Sequence, residues 1–232
     1  MESVIFCDRP RAQTLPALEL PMEEAARRLG AALPLDAQTA ALLQAVTPAL
    51  QQAAMPRMAW ASLPVAALDD TGLLQGTDIL RHLNGCTHGV LLAVTLGPQA
   101  DAAIRRAGVG NVARLAAADA AASALAKAAA DAAEAALRAE FAARGLHLTG
   151  RYSPGYGDWP LAVQQKFCSL LDTPRLLGVS VSDADLLLPR KSITALLGVS
   201  NTPVSGYRAG CAACALRHTC EFRKRGNTCA DP

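Results

Sequence analysis

From Asn111 to Arg144 more than half of the residues are alanine, and this run constrains the fold more than any other feature of the 232-residue chain. Alanine is the strongest helix former, so the run predicts one long helix. Its small side chains would let that helix sit close to a sheet, as an internal element rather than a surface one. Gly145 stands where a C-cap belongs. The helical region begins earlier, at Gln99, and the glycines at 108 and 110 predict a break into two helices. Alanine buries little area, so the core must lean on the Leu, Val and Ile positions elsewhere.

Those positions predict a mixed architecture. Met22–Leu29 reads as a helix with acids early and arginines late, as the helix dipole prefers. Asp36 can cap a second helix to about Ala54, with Pro48 as a possible kink or break. Arg57–Leu68 reads as extended and Thr77–Leu83 as a short helix. Gly89–Leu96 is the clearest buried strand, short, continuous and apolar. His147–Tyr152 reads as a strand, Trp159–Leu171 as a helix, and Leu176–Val181 and Leu186–Ser200 as further strand. Strands and helices do not alternate regularly, which predicts an α+β fold, a twisted and mainly antiparallel sheet packed with helices. Residues 1–70 read as a helical and extended N-terminal part of the same domain, 71–205 as its core and 206–232 as a cysteine-rich tail.

Apolar residues at 51% and charged residues at 18% describe a globular chain. A net charge of +2 gives no global field for nucleic acid. Basic residues gather after Gly206, where Arg208, Arg217, Arg223, Lys224 and Arg225 stand against Glu221 and Asp231; a solvated end explains them as well as an acidic partner does. The first ten residues lack the pattern of a signal peptide, and no apolar run reaches the roughly 18 residues of a membrane span. The expectation is a cytoplasmic protein without nucleic-acid or membrane partners, whose cysteines are thiols or metal ligands.

Three motifs could carry chemistry. Gly108-Val-Gly110-Asn-Val-Ala113 has the outline of a dinucleotide fingerprint, but such a fingerprint follows a strand, and here the preceding DAAIRRA is helical. A helix–helix joint accounts for the glycines. The second motif is Arg151–Pro160, RYSPGYGDWP. Two prolines and two glycines fix an irregular backbone whose amides and carbonyls can face a ligand. Arg151 offers a planar fork for a carboxylate, and Tyr156 and Trp159 offer flat faces with polar tips. Such a set suits a zwitterionic or adenine-bearing molecule; a structural turn with locally packed aromatics is the alternative. The third motif is Cys211-x2-Cys214-x5-Cys220 with Cys229 beyond it. Bunched thiolates favour an iron–sulfur cluster or zinc, with His218 able to replace Cys229. Cys7, Cys86 and Cys168 are isolated and read as core thiols.

At the second motif the chain resembles the reactivation domain of cobalamin-dependent methionine synthase, which binds S-adenosylmethionine. That family carries Arg-x-x-Pro-Gly-Tyr on a loop after a strand, here Arg151-Tyr-Ser-Pro154-Gly155-Tyr156. It also carries a later extended segment with Pro and Ser, here LLLPRKSITALLGVS, and a helix that contributes a glutamate, here AAEAALRAEF with Glu134. The resemblance spans roughly residues 70–200. It implies that Arg151 binds the methionyl carboxylate and Glu134 favours the cationic part of the ligand. Tyr156 would pack near the ligand or corrin edge, and the Pro154–Gly157 backbone would contact the adenine end, so Gly155 and Gly157 belong to the site. In the family, cobalamin that has stalled as cob(II)alamin is reduced by an external donor and trapped as methylcobalamin by the sulfonium methyl. The protein's share is orientation.

The chain departs from the full-length enzyme in two ways. It has no Asp-x-His-x-x-Gly, the cobalamin-ligating motif, and it carries the cysteine group. The resemblance therefore implies a stand-alone factor whose cobalamin is supplied by a partner. That partner would be a corrinoid protein or a methionine synthase lacking its own reactivation domain. Electrons would come from a donor such as flavodoxin or ferredoxin, with the cysteines holding a cluster that passes the electron. Two other readings remain at this point: a module that only senses S-adenosylmethionine, and a metal-binding electron-transfer protein whose loop is structural.

Overall fold

The computed structural model describes residues 9–207, 210 and 217–224. An exposed strand, β1 (Arg11–Thr14), leads to helix α1 (Met22–Leu29). In α1 Glu24 pairs with Arg27 at 3.0 Å and Arg28 at 2.8 Å, and Gly30 closes the helix in the left-handed conformation. Helix α2 (Ala37–Ala53) starts where Asp36 Oδ1 accepts the Thr39 N–H at 2.8 Å, and it runs through Pro48 without a break. Strand β2 (Arg57–Pro64), helices α3 (Val65–Asp70) and α4 (Thr77–His82), and strand β3 (His88–Thr95) follow. The alanine-rich region is then α5 (Pro98–Ala107) and α6 (Val112–Ala142), divided at the two glycines. Beyond it come β4 (His147–Leu148), α7 (Val163–Leu170), α8 (Thr173–Leu177), β5 (Ser180–Val181), β6 (Leu187–Leu188), β7 (Ser192–Ser200) and the short α9 (Glu221–Lys224).

Every strand pairing is antiparallel, in the order β1-β2-β3-β7-β4, with β5 and β6 forming a separate ribbon. The α+β class expected from the irregular alternation of elements is the one observed. Each face of the sheet carries its own core. On one face Trp60, Leu92, Val94, Leu197 and Val199 pack with residues of α1, α2, α5 and α6. Helix α6 is buried along most of its length, with Ala117, Ala118, Ala121, Ala122, Ala129 and Ala133 all inaccessible. It lies between the sheet and α1 and α2, a position that only small side chains permit. On the other face Leu91, Ala93 and Leu196 meet Leu68, Ile79, Tyr152, Trp159 and Phe167.

Besides the strand expected over His147–Tyr152, of which β4 keeps only His147–Leu148, four elements depart from their apolar patterns. The extended stretch from Arg57 ends at Pro64, which has no N–H to continue a ladder and instead opens α3. Leu176 and Leu177 close α8, and Gly178 in the left-handed region turns the chain before β5. Pro189 divides Leu186–Ser200 into β6 and β7. The expected helix from Trp159 begins only at Val163, because Pro160 disfavours helical backbone at Trp159.

Candidate functional site

The segment 147–152 runs along β7 as the sheet's last strand, with a defect. His147 and Leu148 pair with Ser200 and Val199, and Tyr152 bridges Leu196. One extra residue lies between these pairings, a bulge at Thr149–Gly150. Beyond Leu196 no strand among the described residues covers that side of β7. Alternation then sends Arg151 toward α6 and Tyr152 into the opposite core.

Arg151 enters an ionic cluster on α6. Its Nε lies 3.1 Å from Glu134 Oε2, and its Nη2 donates to Asp131 Oδ1. Glu134 Oε1 also accepts Arg138 Nε at 2.9 Å and Nη2 at 2.6 Å. Arg138 continues to the Leu148 carbonyl at 2.6 Å and the Thr149 carbonyl at 2.7 Å, which ties the helix to the bulge. Lys127 holds Asp131 from the preceding turn at 3.0 Å. Burial works against the charge of Asp131, but hydrogen bonds from Lys127 and Arg151 outweigh it and keep its carboxyl below the ordinary range. One donor is left over: Arg151 Nη1 is buried with no hydrogen-bond partner. An unmet guanidinium nitrogen, in a cluster where three cations outnumber two carboxylates, can take a ligand carboxylate.

The loop after Arg151 is held from beneath by α4. Asp158 Oδ2 accepts the Thr77 N–H and hydroxyl, each at 2.7 Å, and Oδ1 accepts the Asp78 N–H at 2.9 Å. These bonds, the Asp78 amide first, hold the Asp158 carboxyl below its ordinary value. At the other end of α4, buried His82 places Nε2 3.0 Å from the Gly150 carbonyl and 2.8 Å from Thr149 Oγ1, with Nδ1 2.7 Å from the Tyr207 carbonyl. Asp78 sits between, against Gly157. A Cβ at 157 would overlap both Asp78 Oδ2 and Tyr152 Oη, at a φ of +54°. Burial, then the charges of Asp78 and Asp158, push the Tyr152 phenol well above its ordinary range.

Within the loop Pro154 is buried, and Gly155 donates to the Trp159 carbonyl at 2.8 Å. Trp159 is core: its indole N–H donates to the Leu73 carbonyl at 2.9 Å, and its ring and that of Tyr152 pack 6.1 Å apart. Tyr156 is 60% exposed, standing edge-on to Tyr152. Tyr152, Trp159 and Phe167 thus form a local core, and Tyr156 is the exposed ring of the loop.

The structure brings Glu134, Arg151 and the Pro154–Gly157 loop together along one edge of the sheet. It adds residues that the motif reading missed. Asp131 and Arg138 were signalled by their helical spacing from Glu134 in an otherwise alanine run, and Asp158 lies inside the motif itself. His82 and Asp78 had no local signal. Of the expected metal ligands, Cys211, Cys214 and Cys229 lie outside the described residues, and Cys220 is a half-buried thiol. No group of His, Cys, Asp and Glu poised for a metal occurs among the described residues. No helix among them is long and apolar enough to cross a membrane.

No family model matches the sequence, and no curated protein matches it. The fold is similar to that of a solved structure, the MetH reactivation domain bound to AdoHcy. The TM-score is 0.58 at 13% sequence identity, over 96% of this chain and 88% of that one.

Proposed function

We propose that this chain is an S-adenosylmethionine-binding factor that reductively remethylates the cobalamin of a separate corrinoid-dependent methyltransferase, such as a methionine synthase without its own reactivation domain. The observation that carries the reading is the Arg151 cluster on the RYSPGY loop, with one buried guanidinium nitrogen still unpartnered. The likeness in fold to the MetH reactivation domain, which was crystallised with AdoHcy, supports it.

Arg151 Nη1 takes the methionyl carboxylate. Glu134 and Asp131 hold the guanidinium in plane. The backbone of Pro154, Gly155 and Gly157 borders the adenine end, and Tyr156 stands at the solvent edge where a partner's corrin would approach. When bound, S-adenosylmethionine would supply a methyl cation from its sulfonium sulfur to the partner's cob(I)alamin, formed from cob(II)alamin by one electron, with S-adenosylhomocysteine as the leaving group. The chain contributes orientation and no acid or base. The electron comes from an external donor such as flavodoxin or ferredoxin. The sequence after Gly206 is rich in cysteine, and on this reading Cys211, Cys214, Cys220 and Cys229 would hold an iron–sulfur cluster or zinc.

The test is to mix the full chain with a cob(II)alamin-loaded methionine synthase lacking a reactivation domain, S-adenosylmethionine and a one-electron reductant. Methylcobalamin should appear in the visible spectrum only when all are present. Binding of S-adenosylmethionine without methylcobalamin formation would reduce the chain to a sensor.

A further inference from the structure

The glycine pair that outlines a nucleotide fingerprint builds a different object. Gly108 admits close contact between α5 and α6, since a Cβ there would stand 2.9 Å from Leu115 Cδ1. Gly110 turns the chain at a φ of +68°, and Asn111 Oδ1 caps α6 by accepting the Arg114 N–H at 2.9 Å. At the tip of this tight turn Val109 is 82% exposed and Val112 81%, with Leu115 at 39% beside them. Valines so exposed add nothing to the core, and turns between helices ordinarily carry polar residues there.

The rim is basic. Arg105, Arg106 and Arg114 are exposed and form no ion pair among the described residues, and no acid occurs from 102 to 118. All three cations are arginines, the basic residue favoured at protein interfaces, where lysine is depleted. The apolar part is two short side chains, too little for the long apolar face of an interfacial membrane helix.

We propose that the α5–α6 turn is a docking surface for a protein with an acidic rim around a small apolar depression. On the functional reading above, on which this rests, that protein is the corrinoid partner. Val112 and Asp131 are separated by about 28 Å along α6, at 1.5 Å per residue. A partner of ordinary domain size can therefore touch the turn while its corrin faces the Arg151 loop. Arginine-rich docking of this kind steers encounter and weakens with salt.

The test compares wild-type chain, Val109→Asp/Val112→Asp and Arg105→Glu/Arg106→Glu/Arg114→Glu for binding to cobalamin-loaded methionine synthase lacking a reactivation domain. All altered side chains are exposed and far from the ionic cluster, so S-adenosylmethionine affinity should stay within twofold of wild type. Each variant should bind the methionine synthase at least tenfold more weakly, and wild-type binding should fall as salt rises. Variants that bind as wild type does, or a wild type that binds S-adenosylmethionine but not the corrinoid protein, would overturn the docking surface. So would sedimentation of wild type with phosphatidylserine vesicles, lost in the variants while corrinoid binding persists. A wild type that fails to bind S-adenosylmethionine is a different failure, that of the functional reading itself.

Discussion

Arg151 owes its reach to a register defect. The bulge at Thr149–Gly150 re-aims the strand so that Arg151 meets Glu134 and Asp131 while Tyr152 enters the opposite core. Hydrogen bonds to charged groups contribute about 1.5–3 kcal/mol. Arg151→Ala should therefore weaken S-adenosylmethionine binding roughly ten- to hundredfold in calorimetry. Arg151→Lys should recover little, because an ammonium lacks the fork that serves two carboxylates and a ligand at once. The two loop glycines should differ. Gly157→Ala meets Asp78 and Tyr152 and has no space to move into, whereas Gly155→Ala meets only Leu161 Cδ1 at 3.5 Å. Both carry the cost of a left-handed backbone, about 1–2 kcal/mol, so thermal unfolding should show Gly157→Ala as clearly the more damaging of the two. Asp158 gives a pH signature. Its folded carboxyl titrates below the ordinary value of 3.8, so its contribution is present above that pH and is lost as pH falls through the lower folded value. Asp158→Asn should lower the melting temperature at neutral pH and reduce the difference between neutral and acid stability.

At the scale of elements, two helices do different work for the loop. Helix α4 is only six residues long, yet its N-terminus is capped by Asp158 and its last residue, His82, meets the Gly150 carbonyl. It therefore holds both ends of the segment that carries the motif. Helix α6 supplies the ionic partners from an otherwise alanine-lined body. Its alanines set the spacing between sheet and outer helices, so Ala129→Leu, at a fully buried position, should destabilise by about 1–3 kcal/mol through overpacking. Urea unfolding would measure it; an unchanged midpoint would contradict the close packing described. Much of this was legible in the sequence. The alanine run, its glycine break, the Asp36 cap and the buried strand near Gly89–Leu96 all rest on local chemistry, and local chemistry decided them. The role of α4 was not legible, because His82 and Asp78 act on residues about 70 to 80 positions away and nothing beside them in sequence signals it. The true start of α7 was missed for the reverse reason: tertiary burial of Trp159 and the proline after it overrode an apolar pattern that suits a helix.

At the scale of the molecule, one antiparallel sheet separates two cores, and the candidate site lies where its last strand stops short of covering β7. There the ionic cluster of Asp131, Glu134, Arg138 and Arg151 adjoins the 153–158 loop. The central claim is that the Arg151 cluster there binds S-adenosylmethionine, and calorimetric titration of the full chain tests it most directly. The account predicts saturable one-site binding by wild type and at least a tenfold loss in a folded Arg151→Ala variant. Absence of binding by wild type, or equal affinity in the variant, would contradict it.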